Sequence, residues 1–383
     1  MPSDLQQSAH DKTPGIFRSE MALWIGIATT LIFFFVGKSW LVDLSIPFKY
    51  GLLFFWLFSA MLALSFGVVR HADCLAVILG EPYGTLILTL AITVIEVIMI
   101  SAVMLTGENN PTLARDTMFS VLMIVLNGML GLTLLMGGRR HHEQDFNLRG
   151  ASAYLGVIMP LVVLGLVIPR FTSSAPGGQV SVLGSVYLVI MSVGLYAVFL
   201  LIQTGRHRQF FMQPPGPDND MDKTAHHKHD DIITRSAGYH AAFLVVTMLP
   251  IVLLSENMAI LVDHGLSTLQ APQALGGFLV AILVLSPEGL SAVKAAIANK
   301  LQRTVNIALG AALATIGLTI PAVLAISLFT GHTIELGLEP VDIVLLTLTL
   351  LVSVVNIGSG RTNILQGAVH LILFVSYIIL IFD

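Results

Sequence analysis

Two glutamates stand in the middle of long apolar stretches of this sequence. Glu96 lies in TLAITVIEVIMI and Glu288 lies in LVLSPEGLSAV. A carboxylate at bilayer depth is costly, so within a membrane it marks by default the path of a substrate or an ion. Pro287 directly precedes Glu288, and its ring denies an N–H to the carbonyl of Leu283. A bound cation is one candidate partner for that freed carbonyl.

Polar side chains accompany Glu96 along one face of the predicted helix. Thr85, Thr89 and Thr93 precede it at steps of four, four and three residues, which places all four side chains on the same face. We predict Thr89 and Thr93 as supporting ligands. The alternatives are that the threonines bond back to carbonyls of their own helix, and that Glu96 is a structural carboxylate paired with another helix.

Other polar residues are predicted to complete an oxygen cage around the two glutamates. Ser286 precedes Pro287, Asn299 shares a helix face with Glu288, and Asn127 lies on a flanking span. Packing is the alternative role for each of the small or polar residues on the two flanking spans. These residues are Thr117, Ser120, Asn127 and Gly131 on one span, and Asn306, Gly310, Thr315 and Thr319 on the other.

A pair of buried carboxylates suits the exchange of a cation for protons. Two carboxylates that meet in a low-dielectric site cannot both stay charged and empty, so protons and a cation compete to neutralise them. Oxygen ligands suit hard ions such as Ca²⁺, Na⁺ and K⁺. We therefore predict Glu96 and Glu288 as the residues that bind the metal ion and the protons in turn. A charge of −2 matches one Ca²⁺ or two protons.

The composition predicts an all-α polytopic membrane protein that lies in a lipid bilayer. Of the 383 residues 55% are hydrophobic and 11% are charged, against about 25% charged in soluble domains. The net charge of −4 argues against a nucleic-acid partner, and the single Cys74 excludes an internal disulfide. We expect no cofactor and, from the polar N-terminus, no cleavable signal peptide. The oligomeric state stays open.

Hydropathy predicts about eleven transmembrane helices. They are expected at 21–37, 48–69, 84–105, 117–137, 151–168, 182–202, 240–262, 272–298, 306–329, 341–356 and 364–381. Lys and Arg concentrate in the segments on the same side as the N-terminus, which predicts a cytoplasmic N-terminus and a C-terminus outside.

An internal repeat divides the chain. Gly84 aligns with Gly276 and Glu96 with Glu288 at the same shift of 192 residues. Because each half then holds five spans, the two halves are predicted to be inverted relative to each other, with a site between them near the midplane. The predicted layout is a tail at 1–20, an extra first helix at 21–47, five-helix repeats at 48–202 and 238–383, and an acidic, His-rich cytoplasmic loop at 203–237.

The second half resembles the cation/proton exchanger branch of the calcium/cation antiporter superfamily, in particular its bacterial calcium–proton antiporters. The matching positions are Glu288, Ala292-Val293, Ala296, Asn299-Lys300, Gly310 and Pro321. The resemblance implies a multi-pass protein of the bacterial inner membrane in which Glu288 and, through the repeat, Glu96 bind the cation and the proton directly. Similar bacterial members are associated with Na⁺ and K⁺ as well as Ca²⁺.

The predicted function is therefore export of Ca²⁺, with Na⁺ and K⁺ as additional substrates, in exchange for protons, and the protein is not expected to be an enzyme. A cation channel or uniporter without proton coupling is the first alternative, because inverted repeats also build pores. An intramembrane enzyme or sensor is the second, and it would need a nucleophile or a metal triad within the bilayer.

Overall fold

Long apolar helices form nearly all of the computed structural model, which describes residues 15–80, 83–106, 111–214, 235–331 and 333–383. The predicted His-rich loop at 203–237 and the tail at 1–20 lie largely outside the described residues. The helices are α1 Ile16–Ser19, α2 Met21–Gly37, α3 Lys38–Leu41, α4 Pro47–Leu79, α5 Tyr83–Thr106, α6 Leu113–His141, α7 Leu148–Phe171, α8 Val182–Thr204, α9 Ala237–Leu269, α10 Ala274–Ile297, α11 Leu301–Thr330, α12 Pro340–Ile357 and α13 Ile364–Leu380.

Eight of the described helices are long and apolar enough to cross a membrane, and three shorter apolar helices lie at Met21–Gly37, Leu86–Ser101 and Ile364–Leu380. Most helix bounds agree with the predicted spans to within a few residues. The exceptions are the ends of α4 and α9, expected at 69 and 262 but found at Leu79 and Leu269, and the start of α11, expected at 306 but found at Leu301. How many of these helices cross the bilayer stays a prediction, as does the repeat layout.

The central helices are α6, α10 and α11. The most apolar window of α6 is 78% buried, and those of α10 and α11 are each 61% buried. The corresponding windows of α8 and α12 are only 28% and 33% buried. Because every spanning helix is apolar, this difference in burial separates helices packed against protein from helices that present a broad outer face to lipid.

The two longest helices, α4 and α9, pack antiparallel over most of their length. Near one end, the rings of Tyr50 and His264 lie with their centroids 5.2 Å apart. Near the other end, the Nδ1 atoms of His71 and His240 lie 3.0 Å apart. The pairing of early residues in α4 with late residues in α9 is what antiparallel neighbours require.

Helices α6 and α10 pack side by side in the same direction. A Cβ at Gly277 would come within 2.8 Å of the backbone nitrogen of Thr117, and a Cβ at Gly289 would lie 3.7 Å from the Met129 side chain. The second pair lies twelve residues further along both helices. Only glycine permits so close a backbone approach at position 277, and this packing brings the helix of Glu288 against the most buried helix.

A buried polar cluster joins three segments at one end of α4. Glu20 accepts hydrogen bonds from Tyr239 Oη at 2.6 Å and from His71 Nε2 at 3.0 Å, and it also pairs with Arg70. His71 in turn contacts His240. Burial raises the pKa of Glu20, but the hydrogen bond from Tyr239 and the charges of His71 and Arg70 outweigh burial and lower it. The cluster explains why α4 continues past residue 69, since its polar residues have partners on neighbouring helices.

We expect Gly84→Ala to destabilise the protein, because a Cβ at Gly84 would overlap the backbone of Ala76 where α4 and α5 meet. Overpacking of this kind costs about 1–3 kcal/mol. Gly194→Ala is the matched control, since nothing lies within 4 Å of that position and alanine favours a helix by about 1 kcal/mol. Thermal unfolding in detergent should show a lower midpoint for the first variant only. Equal midpoints for the two variants would contradict the close packing.

Candidate cation site

Glu96 lies in the middle of α5 and is only 1% exposed. Its Oε2 accepts a hydrogen bond from Thr315 Oγ1 at 2.7 Å, whereas its Oε1 has no hydrogen-bond partner. Thr319 lies close to the same carboxyl group, and its hydroxyl is also buried without a partner. Among the described residues, the hydrogen bond from Thr315 is therefore the main compensation for this fully buried carboxylate, with the Thr319 hydroxyl close by.

Glu288 is even less compensated than Glu96. It lies in α10 directly after Pro287 and is 0% exposed, and neither of its carboxylate oxygens has a hydrogen-bond partner in the part of the chain that the structure describes. Burying an ionised carboxylate without partners is so costly that the group is neutralised instead, by a proton or by a cation. The two carboxylate oxygens of Glu288 are therefore available to a proton or a cation.

The two glutamates are close enough for their charges to interact, and their helices α5 and α10 are in contact. Among the described residues, no hydrogen-bond donor is found for three of their buried carboxylate oxygens: Oε1 of Glu96, and Oε1 and Oε2 of Glu288. Within the described ranges no group of three or more His, Cys, Asp or Glu side chains is arranged to hold a metal ion. The chemistry of the site is therefore that of two carboxylates and neighbouring hydroxyls, which suits protons and hard cations.

Each glutamate-bearing helix is flanked by a helix that is locally π-helical. The segment Thr315–Thr319 of α11 contacts α5, and the segment Ile124–Met129 of α6 contacts α10. A π-helical turn accommodates one extra residue and recurs at functional sites. In α11 the π-helical turn begins at the residue that donates the hydrogen bond to Glu96. The two segments lie at corresponding positions of the predicted repeat, given the shift of 192 residues.

Three of the predicted supporting residues lie on the two glutamate helices. The hydroxyl of Thr93 donates to the carbonyl of Thr89 at 2.9 Å, and that of Ser286 donates to the carbonyl of Ile282. These bonds correspond to the alternative interpretation, in which the hydroxyl satisfies its own helix. Thr89 differs, because its hydroxyl is buried without a partner and faces a small cavity lined also by Gly310.

The other two predicted supporting residues, Asn127 and Asn299, make their hydrogen bonds to residues other than the glutamates. Asn127 donates to Thr349 Oγ1 at 2.8 Å and accepts from His370 Nδ1 at 3.1 Å, so its amide group is used between α6 and the pair α12 and α13. Asn299 follows the end of α10 in a left-handed conformation with φ of 58° and accepts from Gln144 at 3.0 Å. Eleven residues of helix would put it about 16 Å from Glu288.

Comparison with known proteins shows which family the chain belongs to. The model of the sodium/calcium exchanger protein family matches residues 49–205 and 239–382. The chain belongs to that family. Within the sodium/calcium exchanger family, it is 41% identical over 322 residues to the sodium-potassium/proton antiporter ChaA of Escherichia coli, which covers 84% of this chain and 86% of that protein.

Two solved structures share the fold of this sodium/calcium exchanger family member. The structure of YfkE, a Ca²⁺/H⁺ antiporter protein, superposes with a TM-score of 0.71 at 19% identity and covers 95% of this chain and 99% of that one. The H⁺/Ca²⁺ exchanger CAX superposes with a TM-score of 0.63 at 13% identity, over 94% of this chain and 88% of that one. At these identities the likeness concerns the fold.

Some residues near the site of this family member escape prediction from sequence. Thr315 is predicted only as one of several polar positions, yet it donates a hydrogen bond of 2.7 Å to Glu96. Asp73 is missed because the predicted span ends before it, although its charge reaches Glu288. The spacing of Thr315 and Thr319, four residues apart on one helix face, is the signal that could have singled it out.

Proposed function

We propose that the protein is a secondary antiporter that exports a cation in exchange for protons, with Glu96 and Glu288 binding the two in turn. The observation that carries this proposal is the set of three buried carboxylate oxygens without a donor, shared between α5 and α10. Such a set is neutral when protonated and attracts a cation when it is not. Competition of this kind is the basis of an exchange.

Ca²⁺ is the proposed first substrate, and Na⁺ and K⁺ are proposed as additional substrates. Two carboxylates balance one Ca²⁺, and the hydroxyls of Thr315 and Thr319 beside Glu96 are neutral oxygen ligands that hard cations accept. The hydroxyl of Thr89, seven residues before Glu96 on α5, is a further candidate ligand. The names of the relatives support both choices, since they include a sodium-potassium/proton antiporter and Ca²⁺/H⁺ exchangers. The hydroxyls of Thr93 and Ser286 donate to carbonyls of their own helices. Their proposed role is therefore limited to the position of those carbonyls.

The proposed setting is the bacterial cytoplasmic membrane, crossed eleven times, with the N-terminus inside and the C-terminus outside. Two inverted five-helix halves would place Glu96 and Glu288 at equivalent depths. The antiparallel packing of α4 with α9 and the two π-helical segments support this arrangement.

The test is proton movement in inside-out vesicles with a preformed acidic interior. Addition of Ca²⁺, Na⁺ or K⁺ should dissipate the gradient in vesicles that contain the protein and not in vesicles without it, and the order of the ions gives the preference. Cation flux that ignores the pH gradient would instead indicate a channel.

Thr315→Val is expected to weaken cation binding without abolishing exchange. Valine keeps the shape of threonine but removes the donor to Glu96 Oε2, so that the ionised carboxylate loses this hydrogen bond. A hydrogen bond to a charged group contributes about 1.5–3 kcal/mol, which corresponds to a rise of about tenfold or more in the KM for the cation. Thr315→Ser, which keeps the hydroxyl, should remain near the native KM. A native KM in the valine variant would show that the hydroxyl has no part in binding.

A further inference from the structure

A cavity of about 330 Å³ lies between α4, α10 and the start of α11. It is lined by Pro287 and Ser291, which are one residue before and three residues after Glu288. Glu288 itself is fully buried and does not line it. The cavity therefore ends at the helical turn that holds Glu288, on the side of the membrane predicted to be cytoplasmic.

Asp73 is the only carboxylate among the residues that line this cavity. Its Oδ2 accepts a hydrogen bond from Ser291 Oγ at 3.0 Å, and its Oδ1 pairs with Arg303 Nη2 at 2.8 Å. The side chain is 35% exposed, so it can be reached from the cavity. Through Ser291 it contacts the helical turn of Glu288, and its charge is felt at that glutamate.

The other charges of the cavity wall are positive. Arg70, Lys294 and Arg303 all line it. Arg70 is paired with Glu20 and Arg303 with Asp73, so that Lys294 leaves the wall with an excess of positive charge. A cation moving toward Glu288 meets repulsion from this wall as long as Arg303 neutralises the carboxylate.

We propose that Asp73 receives the transported cation on the cytoplasmic side of Glu288, and that Arg303 competes with the cation for this carboxylate. The inference rests on the proposed exchange function, because it assigns one more binding residue to the same path. When Arg303 holds Asp73 the path is electrostatically closed to cations. When a cation displaces Arg303 it is one helical turn from the backbone of Glu288.

A purely structural bridge between α4 and α11 makes a different prediction from competition. If Asp73 and Arg303 only link the helices, removal of either partner has the same effect. If Arg303 competes with the cation, the two substitutions act in opposite directions on cation affinity, because one removes the ligand and the other removes its competitor. The sign of the change in KM therefore separates the two roles.

The experiment compares Asp73→Asn and Arg303→Gln in inside-out vesicles, in which the cavity faces the added cation. Asp73→Asn should raise the KM for the cation about fivefold or more, Arg303→Gln should lower it, and kcat should change less than KM in both, as expected when a group binds ground state and transition state alike. Asp73→Glu, which keeps the charge, should restore a KM close to the native one. Asp145→Asn is the matched control, because it breaks a surface pair with Arg361 at 2.8 Å that lies outside the cavity.

Changes of the same sign in Asp73→Asn and Arg303→Gln would overturn the proposal, and so would a native KM in Asp73→Asn. Glu288→Gln in the same vesicles separates this failure from failure of the proposed function. If Glu288→Gln abolishes exchange while Asp73→Asn behaves like the native protein, only the role of Asp73 is lost. If Glu288→Gln leaves exchange intact, the paired-glutamate mechanism itself fails.

Discussion

Replacing Glu288 by glutamine is expected to reduce cation-driven proton movement to the level of vesicles without the protein. Glutamine has nearly the same shape but can neither carry the negative charge nor release a proton, so both halves of the exchange are lost. Glu96→Gln should likewise abolish proton movement driven by Ca²⁺, because one remaining carboxylate cannot balance a divalent cation. The measurement is the dissipation of a preformed pH gradient after addition of Ca²⁺, Na⁺ or K⁺.

Stability provides the control for the two glutamine variants. Neither carboxylate oxygen of Glu288 has a hydrogen-bond donor, so exchange of the carboxylate for a neutral amide should leave the thermal midpoint in detergent unchanged or raised. A folded and inactive Glu288→Gln variant would assign the loss to chemistry. Persistent exchange in both variants would remove the paired-glutamate mechanism and bring the channel alternative forward.

The apparent affinity for the cation is expected to rise steeply with pH. If one Ca²⁺ replaces two protons, its apparent affinity rises about a hundredfold per pH unit while both carboxyl groups are protonated, and a monovalent ion that replaces one proton gains about tenfold. The sign follows from competition, since protons occupy the same oxygens at low pH. Titrations of Ca²⁺ binding to the purified protein at a series of pH values measure the slope.

Glu96→Gln supplies the internal check on this pH dependence. With one titrating carboxylate left, the slope for Ca²⁺ should fall from two protons to one, even where binding is weakened. If the affinity of the native protein for Ca²⁺ did not change with pH, the cation would not displace protons. Exchange coupled through the glutamates could not then occur.

The buried glutamates and most of the helices could be predicted from sequence because hydrocarbon cannot satisfy unpaired backbone groups or charged side chains. An isolated carboxylate such as Glu96 stands out against an apolar helix, and long apolar runs leave little freedom for helix bounds. The end of α4 was predicted wrongly because Arg70, His71 and Asp73 interrupt its apolar residues, although residues 75–79 are apolar again. Hydropathy cannot show that His71 and Asp73 find partners on other helices.

The hydrogen-bond partners of the predicted supporting residues could not be derived from sequence, because the argument from helix faces assumed straight, continuous helices. The π-helical segment Ile124–Met129 contains Asn127 and changes the register of the helix there, and α6 is buried on nearly all sides, so a face does not identify its partner. Asn299 was assigned to the face of Glu288, but α10 ends at Ile297 before reaching it. For Thr93 and Ser286 the sequence cannot distinguish a ligand from a hydroxyl that bonds to its own helix.

The contact between His71 and His240 limits how many hydrogen atoms the four ring nitrogens of these two histidines can carry. The two Nδ1 atoms are 3.0 Å apart, so one hydrogen lies between them, and a second lies on the Nε2 of His71 that faces Glu20. The Nε2 of His240 is buried and makes no hydrogen bond, and it can take a third. A fourth would place two hydrogens in the same 3.0 Å gap. The two histidines, which join the antiparallel helices α4 and α9, can thus accept one additional proton and stay in contact. A second additional proton would separate the rings.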